Sequence, residues 1–417
     1  MKRNQQKFNL LDPNTTENQL KKKAAVFLLL LGFVSFFSDF THEGARSMYG
    51  QYLSLLGVSA FFVSFIAGLG EFIGHSLRLA TGYIADKTGK YWLMMILGYS
   101  VNLLAIPLLG FVNPSFWQIA LVLIVLERVG KAIRAPAKSA LTSFTAPYFG
   151  AGKAFAINEM LDQLGAFLGP LMVFSVLSSN LGSSELKNYQ YSFFILGIFA
   201  VVTIVILFFA RFKYPRPKEF EERKELPTLS IKKNGKFIIY LICISFLALG
   251  FVDFPFISYH VTALKLLDLT YIPLIYSIVM GIDAISALFF GYLYDKKGLL
   301  SLCIAIMFSL FITPLVFYGN NIFMIFAGIL VWGICMGAQE SIFKAIVCRY
   351  VDKDRRASAY GVFGAVFGTA WFIGSTIVGL LYDVSKIAII IFSSLAIVVS
   401  LVSAIFLIKK EKTTSIL

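Results

Sequence analysis

Ionisable side chains lie inside long apolar segments of this sequence, and some of them recur at helical spacing. Four basic residues, which we call the basic stripe, follow one another at spacings of three, three and four: Arg128, Lys131, Arg134 and Lys138. This spacing puts all four on one face of an α-helix. An ionised group near a bilayer centre costs roughly 2.5–3.5 kcal/mol even on lenient insertion scales. The stripe should therefore face counter-charges or an anionic ligand, with Lys138 reaching the membrane interface.

Carboxyl groups in other apolar segments could balance these cations or carry protons. Burial favours the neutral form of a carboxyl group, so one in a transport pathway could exchange protons near neutral pH. We predict four proton-coupling candidates, which form two pairs spaced one helical turn apart: Asp39, Glu43, Glu159 and Asp162. The alternative is that these acids only neutralise the basic stripe and rigidify the first half of the chain.

Further charged residues in apolar segments are candidates for binding a substrate. The motif Glu127-x-x-x-Lys131-Ala132-Ile133 recurs as Glu340-x-x-x-Lys344-Ala345-Ile346, which indicates an internal duplication. The second half is less charged, with Asp253, His260 and Asp283 as its other buried ionisable groups, so coupling is expected mainly in the first half. The predicted substrate-binding residues are Arg46, Glu71, His75, Arg128, Lys131, Arg134, Asp253, Glu340 and Lys344.

The three histidines raise the possibility of a transition-metal site, because imidazole and carboxylate groups suit such ions. His42, His75 and His260 each have acidic residues nearby in the sequence, but they lie in separate segments. The four cysteines also show no paired spacing. We predict neither a metal nor a cofactor.

The elements that carry these residues are predicted to be membrane-spanning helices. Of the 417 residues 58% are hydrophobic and 14% charged, against about 45–50% and about 25% in soluble domains. An open sheet edge cannot persist in hydrocarbon, so each span should be an α-helix. Twelve stretches have about the 20 residues needed to cross the bilayer: 24–53, 60–84, 91–111, 116–138, 152–178, 190–212, 237–258, 272–294, 299–317, 322–348, 357–382 and 387–408.

These spans predict an all-α integral membrane protein with two pseudo-symmetric bundles of six transmembrane helices. The predicted divisions are an N-terminal tail over 1–23, bundles over 24–212 and 237–408, a linker over 213–236 and a C-terminal tail over 409–417. The net charge of +14 lies almost wholly in the tails, the linker and the loops on one side. By the positive-inside rule both termini are cytoplasmic, in a multi-pass protein of the plasma (inner) membrane. The basicity therefore reflects topology and not binding to nucleic acid.

A loop motif occurs once in each half of the chain. Gly82-x-x-x-Asp86-x-x-Gly89-Lys90 follows the second span, and Gly291-Tyr292-Leu293-Tyr294-Asp295-Lys296-Lys297-Gly298 follows the eighth. The first copy resembles the signature loop of the major facilitator superfamily. That resemblance implies the superfamily's twelve-helix fold and a conformational latch formed by Gly82, Asp86, Gly89, Lys90 and Asp295.

A second motif bears on the type of transport. Gly165-x-x-x-Gly169-Pro170 in the fifth span offers a small-residue packing face that ends at a helix-bending proline. It resembles a motif of drug–proton antiporters in the same superfamily. Export of lipophilic cations is therefore one alternative for the function.

The sequence predicts a secondary active transporter and not an enzyme. It contains no P-loop, dinucleotide-binding motif or nucleophile elbow, so an ion gradient should supply the energy. We expect a monomer that moves a small solute by alternating access. Its expected partners are protons or another coupling ion and the lipid bilayer. The basic stripe slightly favours an anionic or zwitterionic solute. The alternatives are a drug/proton antiporter that exports lipophilic cations and a transport-inactive membrane receptor or scaffold.

Overall fold

The described part of the protein is a set of helices joined by short turns. A computed structural model describes residues 17–149, 151–215, 235–318, 321–351 and 356–414, and no β-strand occurs in these ranges. Its helices are α1 (Glu17–Arg46), α2 (Tyr49–Leu55), α3 (Ala60–Thr88), α4 (Tyr91–Leu109), α5 (Trp117–Ser143), α6 (Ala146–Phe149), α7 (Ala151–Ser178), α8 (Glu185–Lys213), α9 (Gly235–Gly250), α10 (Phe254–Leu264), α11 (Ile272–Lys297), α12 (Leu300–Ser309), α13 (Ile312–Phe317), α14 (Ile322–Tyr350), α15 (Arg356–Val384) and α16 (Lys386–Thr414).

The predicted spans correspond closely to these helices. Within the described ranges, eleven helical runs are long and apolar enough to cross a membrane. The remaining predicted span is α5, which is 27 residues long but carries Glu127 and the four cations of the basic stripe. The fold class predicted from the sequence is thus confirmed, and the span that deviates in composition is the one that holds the stripe.

Some boundaries differ from the predicted ones. Helix α1 begins at Glu17, within the segment expected to be a tail, and α16 continues to Thr414. The first, seventh and ninth spans are each divided, into α1 and α2, α9 and α10, and α12 and α13. Most of the predicted linker, residues 216–234, lies outside the described residues, as do residues 1–16 of the predicted N-terminal tail.

The break in the seventh span follows from its local sequence. The Asp253 carboxylate accepts a hydrogen bond from the Phe254 N–H at 2.8 Å, and Pro255 lies in the first turn of α10. Aspartate at the N-cap and proline in the first turn both favour the start of a helix. The break leaves α10 as a separate short helix, which packs against α2 of the first half.

The helices form two bundles, α1–α8 and α9–α16. In the first, α1 packs on α7 and α8, and α5 packs on α3 and α4. In the second, α11 packs on α14, and α9 packs on α15 and α16. The bundles meet mainly along α3 with α15, α7 with α11 and α2 with α10, and α10 also contacts α3.

The duplicated loop motif has the same backbone role in both bundles. Gly89 ends α3 with φ +65°, and Gly298 ends α11 with φ +56°. Glycine accepts positive φ without the steric cost that a Cβ atom would bring. This shared helix end explains why glycine occurs at the matching position of each copy.

The outer surface of the bundles is apolar. Phe212, Leu288 and Phe323 expose 87%, 78% and 81% of their surface. Soluble proteins rarely expose large contiguous apolar surfaces to water. Together with the eleven apolar helical runs, this surface is that of a multi-pass integral membrane protein.

Candidate functional site

A polar cavity of about 120 Å³ lies between the two bundles. Helices α1, α5 and α7 form one wall, and α11 and α14 form the other. The cavity contains all four predicted proton-coupling candidates and, of the predicted substrate-binding residues, Arg46, Lys131 and Glu340. The full lining consists of Asp39, Glu43, Arg46, Lys131, Glu159, Asp162, Gln163, Ala166, Met280, Asp283, Met336 and Glu340.

Each cation of the basic stripe lies within 4 Å of a carboxylate on a neighbouring helix of the same bundle. These acids come from α1, α3 and α7. The pairs are Arg128 Nη1 with Glu71 Oε1 at 3.1 Å, Lys131 Nζ with Glu43 Oε1 at 3.6 Å, Arg134 Nη2 with Asp39 Oδ1 at 3.1 Å, and Lys138 Nζ with Asp162 Oδ2 at 2.6 Å. The stripe is therefore compensated one charge for one charge within the first bundle.

Lys138, which was expected to reach the membrane interface, pairs with an acid of α7. Its side chain is only 12% exposed and contacts Asp162. The Asn158 amide donates to the same Asp162 oxygen at 3.4 Å, and the Ser35 hydroxyl donates to Asn158 at 3.1 Å. The cation and the hydrogen-bond donor offset the cost of burying the Asp162 carboxylate.

A second polar cluster lies behind the cavity wall and is centred on Glu127, which was not predicted as a site residue. His42 Nδ1 lies 2.5 Å from Glu127 Oε1, and Arg128 Nε lies 3.5 Å from Glu127 Oε2. The Asn102 amide donates to both the backbone oxygen and the carboxylate of Glu127. His42 Nε2 also lies 3.4 Å from Glu43 Oε1, so this cluster holds a cavity residue in place.

Polar contacts join the bundles at one end of the cavity. Arg46 Nη2 lies 2.7 Å from Asp253 Oδ1, and Tyr276 donates its hydroxyl hydrogen to Glu43 Oε2 at 2.7 Å. The four side chains are buried, and α2 and α10 pack beside them. In contrast, Glu159 is exposed, and it lies nearer the end of the bundles that carries the termini. The cavity is closed on the side away from the termini.

Glu71 and His75 lie beside the cavity and not in its lining. His75 Nε2 is 3.7 Å from Glu71 Oε2, and the imidazole ring packs edge-on against Phe367 of α15 with ring centroids 5.3 Å apart. Arg46 Nη2 also lies 3.9 Å from Glu71 Oε1. These two residues therefore connect the cavity charges to the α3–α15 contact. The side chain of Lys344, the remaining predicted substrate-binding residue, lies outside the described part of the chain.

Asp283 on α11 is a cavity residue that sequence reasoning did not select. It exposes 4% of its surface, and its Oδ1 has no hydrogen-bond partner. Among the described residues no basic side chain lies within 4.0 Å of it. Its signal in the sequence was a single carboxyl group within an otherwise apolar span.

Comparison with known proteins decides the family. The Major Facilitator Superfamily model matches residues 28–318 and 296–416. The chain belongs to this superfamily. An uncharacterized protein of Mycobacterium tuberculosis is 34% identical over 367 residues, covering 86% of this chain and 87% of the relative. An uncharacterized major-facilitator-type transporter of Methanocaldococcus jannaschii is 27% identical over 412 residues, covering 94% and 96%. The crystal structure of the nucleoside transporter NupG has the same fold, with a TM-score of 0.72 at 14% identity, covering 92% and 99%.

The match to the superfamily model confirms the family resemblance that was found in the loop after the second span. In the structure, Gly82 packs towards Pro136 of α5, and the Asp86 carboxylate accepts a hydrogen bond from the Tyr91 hydroxyl at 3.1 Å. Asp86, Lys90 and Asp295 are exposed at the end of the bundles opposite to the Arg46–Asp253 contact. A latch role for these residues stays a prediction.

Proposed function

We propose that this superfamily member is a secondary active transporter that moves a small solute by alternating access and couples this movement to protons. The observation that carries the proposal is the charged cavity between the bundles, closed at one end by the buried Arg46–Asp253 pair. Many secondary transporters bind their substrate near the bilayer midplane between two related halves. The proposed substrate site is this cavity.

Alternating access is supported by the unequal ends of the cavity. Ion pairing and packing of α2 on α10 close the end away from the termini. By the positive-inside rule, the closed end faces outward and the exposed Glu159 faces the cytoplasmic side. The conformation is then the inward-facing one, and opening the outer side requires the Arg46–Asp253 and Glu43–Tyr276 contacts to break.

Proton coupling is supported by the acids that line the cavity. The Lys138 and Asp162 side chains are 12% and 14% exposed, so water in the cavity can reach their contact. A proton on the Asp162 carboxylate would neutralise it and release Lys138, which would change the charge of the cavity by one. Because a conformational equilibrium shifts when a ligand favours one state, such a proton could bias the two access states.

Neutral replacements of the acids test this coupling. In Asp162→Asn and Glu159→Gln, accumulation driven by a pH gradient should fall to the level of protein-free liposomes, while exchange of labelled for unlabelled solute persists, since exchange needs no net proton movement. The solute is the one that most raises the thermal stability of the purified protein in a screen of organic anions, zwitterions and lipophilic cations. Uptake into proteoliposomes with an imposed pH gradient gives the accumulation.

The matched control is Glu185→Gln, which neutralises an exposed acid in the first turn of α8. It should accumulate solute as the unmodified protein does. If gradient-driven accumulation is unchanged in both Asp162→Asn and Glu159→Gln, these two acids do not couple transport to protons. If no solute of the screen moves in the unmodified protein, the receptor or scaffold alternative is favoured.

The charges in the cavity bear on the drug/proton antiport alternative. The expectation of an anionic solute depended on free cations in the basic stripe. In the structure each of its four cations has a carboxylate partner, which weakens that expectation. The cavity lining contains six carboxyl groups and two basic groups. Two of these acids, Asp39 and Asp162, pair with Arg134 and Lys138, which lie outside the lining. The four other acids still outnumber the two basic groups of the lining, which favours a solute with a positively charged group, as the antiport alternative requires.

A further inference from the structure

We propose that Asp283 binds the positively charged group of a compact organic cation, an amine or a guanidinium compound, with Glu159 and Glu340 completing an acidic wall of the cavity. This inference rests on the proposed transport function and names the class of its substrate. It assigns the recognition of charge to α11 of the second bundle, whereas the sequence directed attention to the first.

The first argument is the burial of Asp283 without a partner. An ionised carboxylate removed from water is costly unless a cation or hydrogen-bond donors compensate it. Asp283 is 96% buried, faces the cavity and has an Oδ1 without a hydrogen-bond partner. Ionisable residues inside a membrane protein commonly mark the path of a substrate or ion. A bound cation would supply the missing compensation.

The second argument is the charge of the groups around Asp283. Among the described residues, the ionisable groups that influence it most are Glu340 from α14, Glu43 and Arg46 from α1, and Glu159 from α7. The one cation among them, Arg46, lies 2.7 Å from Asp253 and is thus already paired. Lys131, the other cation of the described lining, pairs with Glu43. Neither cation of this lining is therefore left to compensate Asp283, and a positive ligand group is favoured there.

The third argument concerns size and the rest of the lining. A cavity of about 120 Å³ is close to the roughly 150 Å³ engineered cavity that holds one benzene molecule. Ala166, Met280 and Met336 provide apolar surface next to the acids, and methionine adapts its shape to a ligand. The site suits a single charged group on a short hydrocarbon chain better than a large lipophilic ion.

A carboxyl group that holds a proton is neutral, so it binds a cation more weakly than the ionised carboxylate does. Binding of the cation at Asp283 would then release a proton from that carboxyl, and protonation would release the cation. The exchange balances, because one positive charge leaves the site for each one that enters. This competition would connect the substrate site directly to the coupling ion.

The test uses the purified full-length protein and probes that differ in charge. n-Butylguanidinium is compared with pentanoate and pentanamide, of similar size, at constant ionic strength. We expect n-butylguanidinium alone to raise the melting temperature. In Asp283→Asn its apparent affinity should fall roughly 100-fold, because the substitution removes one partner of a desolvated charge pair. The matched control is Asp383→Asn, which neutralises an exposed acid of the same bundle and should leave the affinity unchanged.

Two results would overturn the inference. One is stabilisation by pentanoate but not by n-butylguanidinium, and the other is stabilisation by n-butylguanidinium that Asp283→Asn leaves intact. A second measurement needs no variant: binding of n-butylguanidinium to the unmodified protein should weaken as pH falls from 8 to 5, because the guanidinium stays charged while carboxylates gain protons. Affinity that is constant over this range also contradicts the proposal.

Uptake into proteoliposomes separates this inference from the proposed function. If n-butylguanidinium binds in an Asp283-dependent way but a pH gradient does not drive its movement, the proposal of proton-coupled transport is contradicted and the proposed binding site is supported. If a pH gradient drives movement of an anion while n-butylguanidinium does not bind, the binding site fails and coupled transport stands.

Discussion

Replacing Arg46 with glutamine is expected to shift the protein strongly towards a state that is open on the side away from the termini. Arg46 and Asp253 are buried, join α1 to the start of α10 and lie 2.7 Å apart. Removing one partner of a buried ion pair leaves an uncompensated charge, which typically costs about 3–5 kcal/mol. That penalty applies to the closed state, since opening gives the remaining carboxylate access to water. The ratio of closed to open molecules should fall more than roughly 100-fold.

Spin labels at the rim of the closed side measure this shift. Cysteines at Ser59 and Leu266, both exposed near α2 and α10, are labelled after the native cysteines are replaced by alanine. Double electron–electron resonance should give a longer main distance between the two spin labels in Arg46→Gln than in the labelled protein that keeps Arg46. Asp253→Asn should act in the same direction, and the double variant should recover part of the closed population, because it removes both charges.

The matched control for this experiment is Arg349→Gln. Arg349 pairs with Glu411 at 2.8 Å, but the pair lies within the second bundle and is partly exposed. The distance between labels at 59 and 266 should not change in this variant. Equal distance distributions in Arg46→Gln and the unmodified protein would show that the ion pair does not hold the outer side closed.

Much of the fold could be predicted because lipid imposes simple demands. A segment in hydrocarbon must satisfy its backbone hydrogen bonds internally, so apolar runs of sufficient length become helices. Charges at helical spacing in such a run need partners, and three of the acids named as possible counter-charges, Asp39, Glu43 and Asp162, do lie beside cations of the basic stripe. Local rules thus identified both the helices and the charged face.

Contacts between distant residues could not be predicted in the same way. Asp253 was a candidate for substrate binding, but it pairs with a residue 207 positions away. Nothing local distinguished it from Asp283, which has no basic partner among the described residues. Tyr276, which donates a hydrogen bond to Glu43 across the bundle interface, gave no signal, since tyrosine is also common as plain packing. The docking of the two bundles decides which charged side chains form pairs across the interface. That docking depends on contacts along the whole chain.

Replacing Gly169 with alanine is expected to destabilise the first bundle. Helix α7 crosses α1 where a Cβ atom on Gly169 would overlap the backbone carbonyl of Phe40. The helices would have to separate at that crossing, because backbone atoms cannot rotate away as a side chain can. Overpacking of this kind costs typically about 1–3 kcal/mol and occasionally more. The measurement is the midpoint of thermal unfolding of the detergent-purified protein, together with its yield as a monodisperse species.

Gly74 provides the matched control, because it is also a buried glycine within a long helix. A Cβ atom there meets no heavy atom within 4 Å apart from its chain neighbours and its own helix backbone. Gly74→Ala should leave the midpoint unchanged or raise it slightly, since alanine is favoured over glycine in a helix by about 0.8–1.0 kcal/mol. If both variants melt at the same temperature as the unmodified protein, α7 does not approach α1 as closely as described. The Lys138–Asp162 pair is held between α5 and α7, so a displaced α7 in Gly169→Ala should also weaken that pair and reduce gradient-driven accumulation.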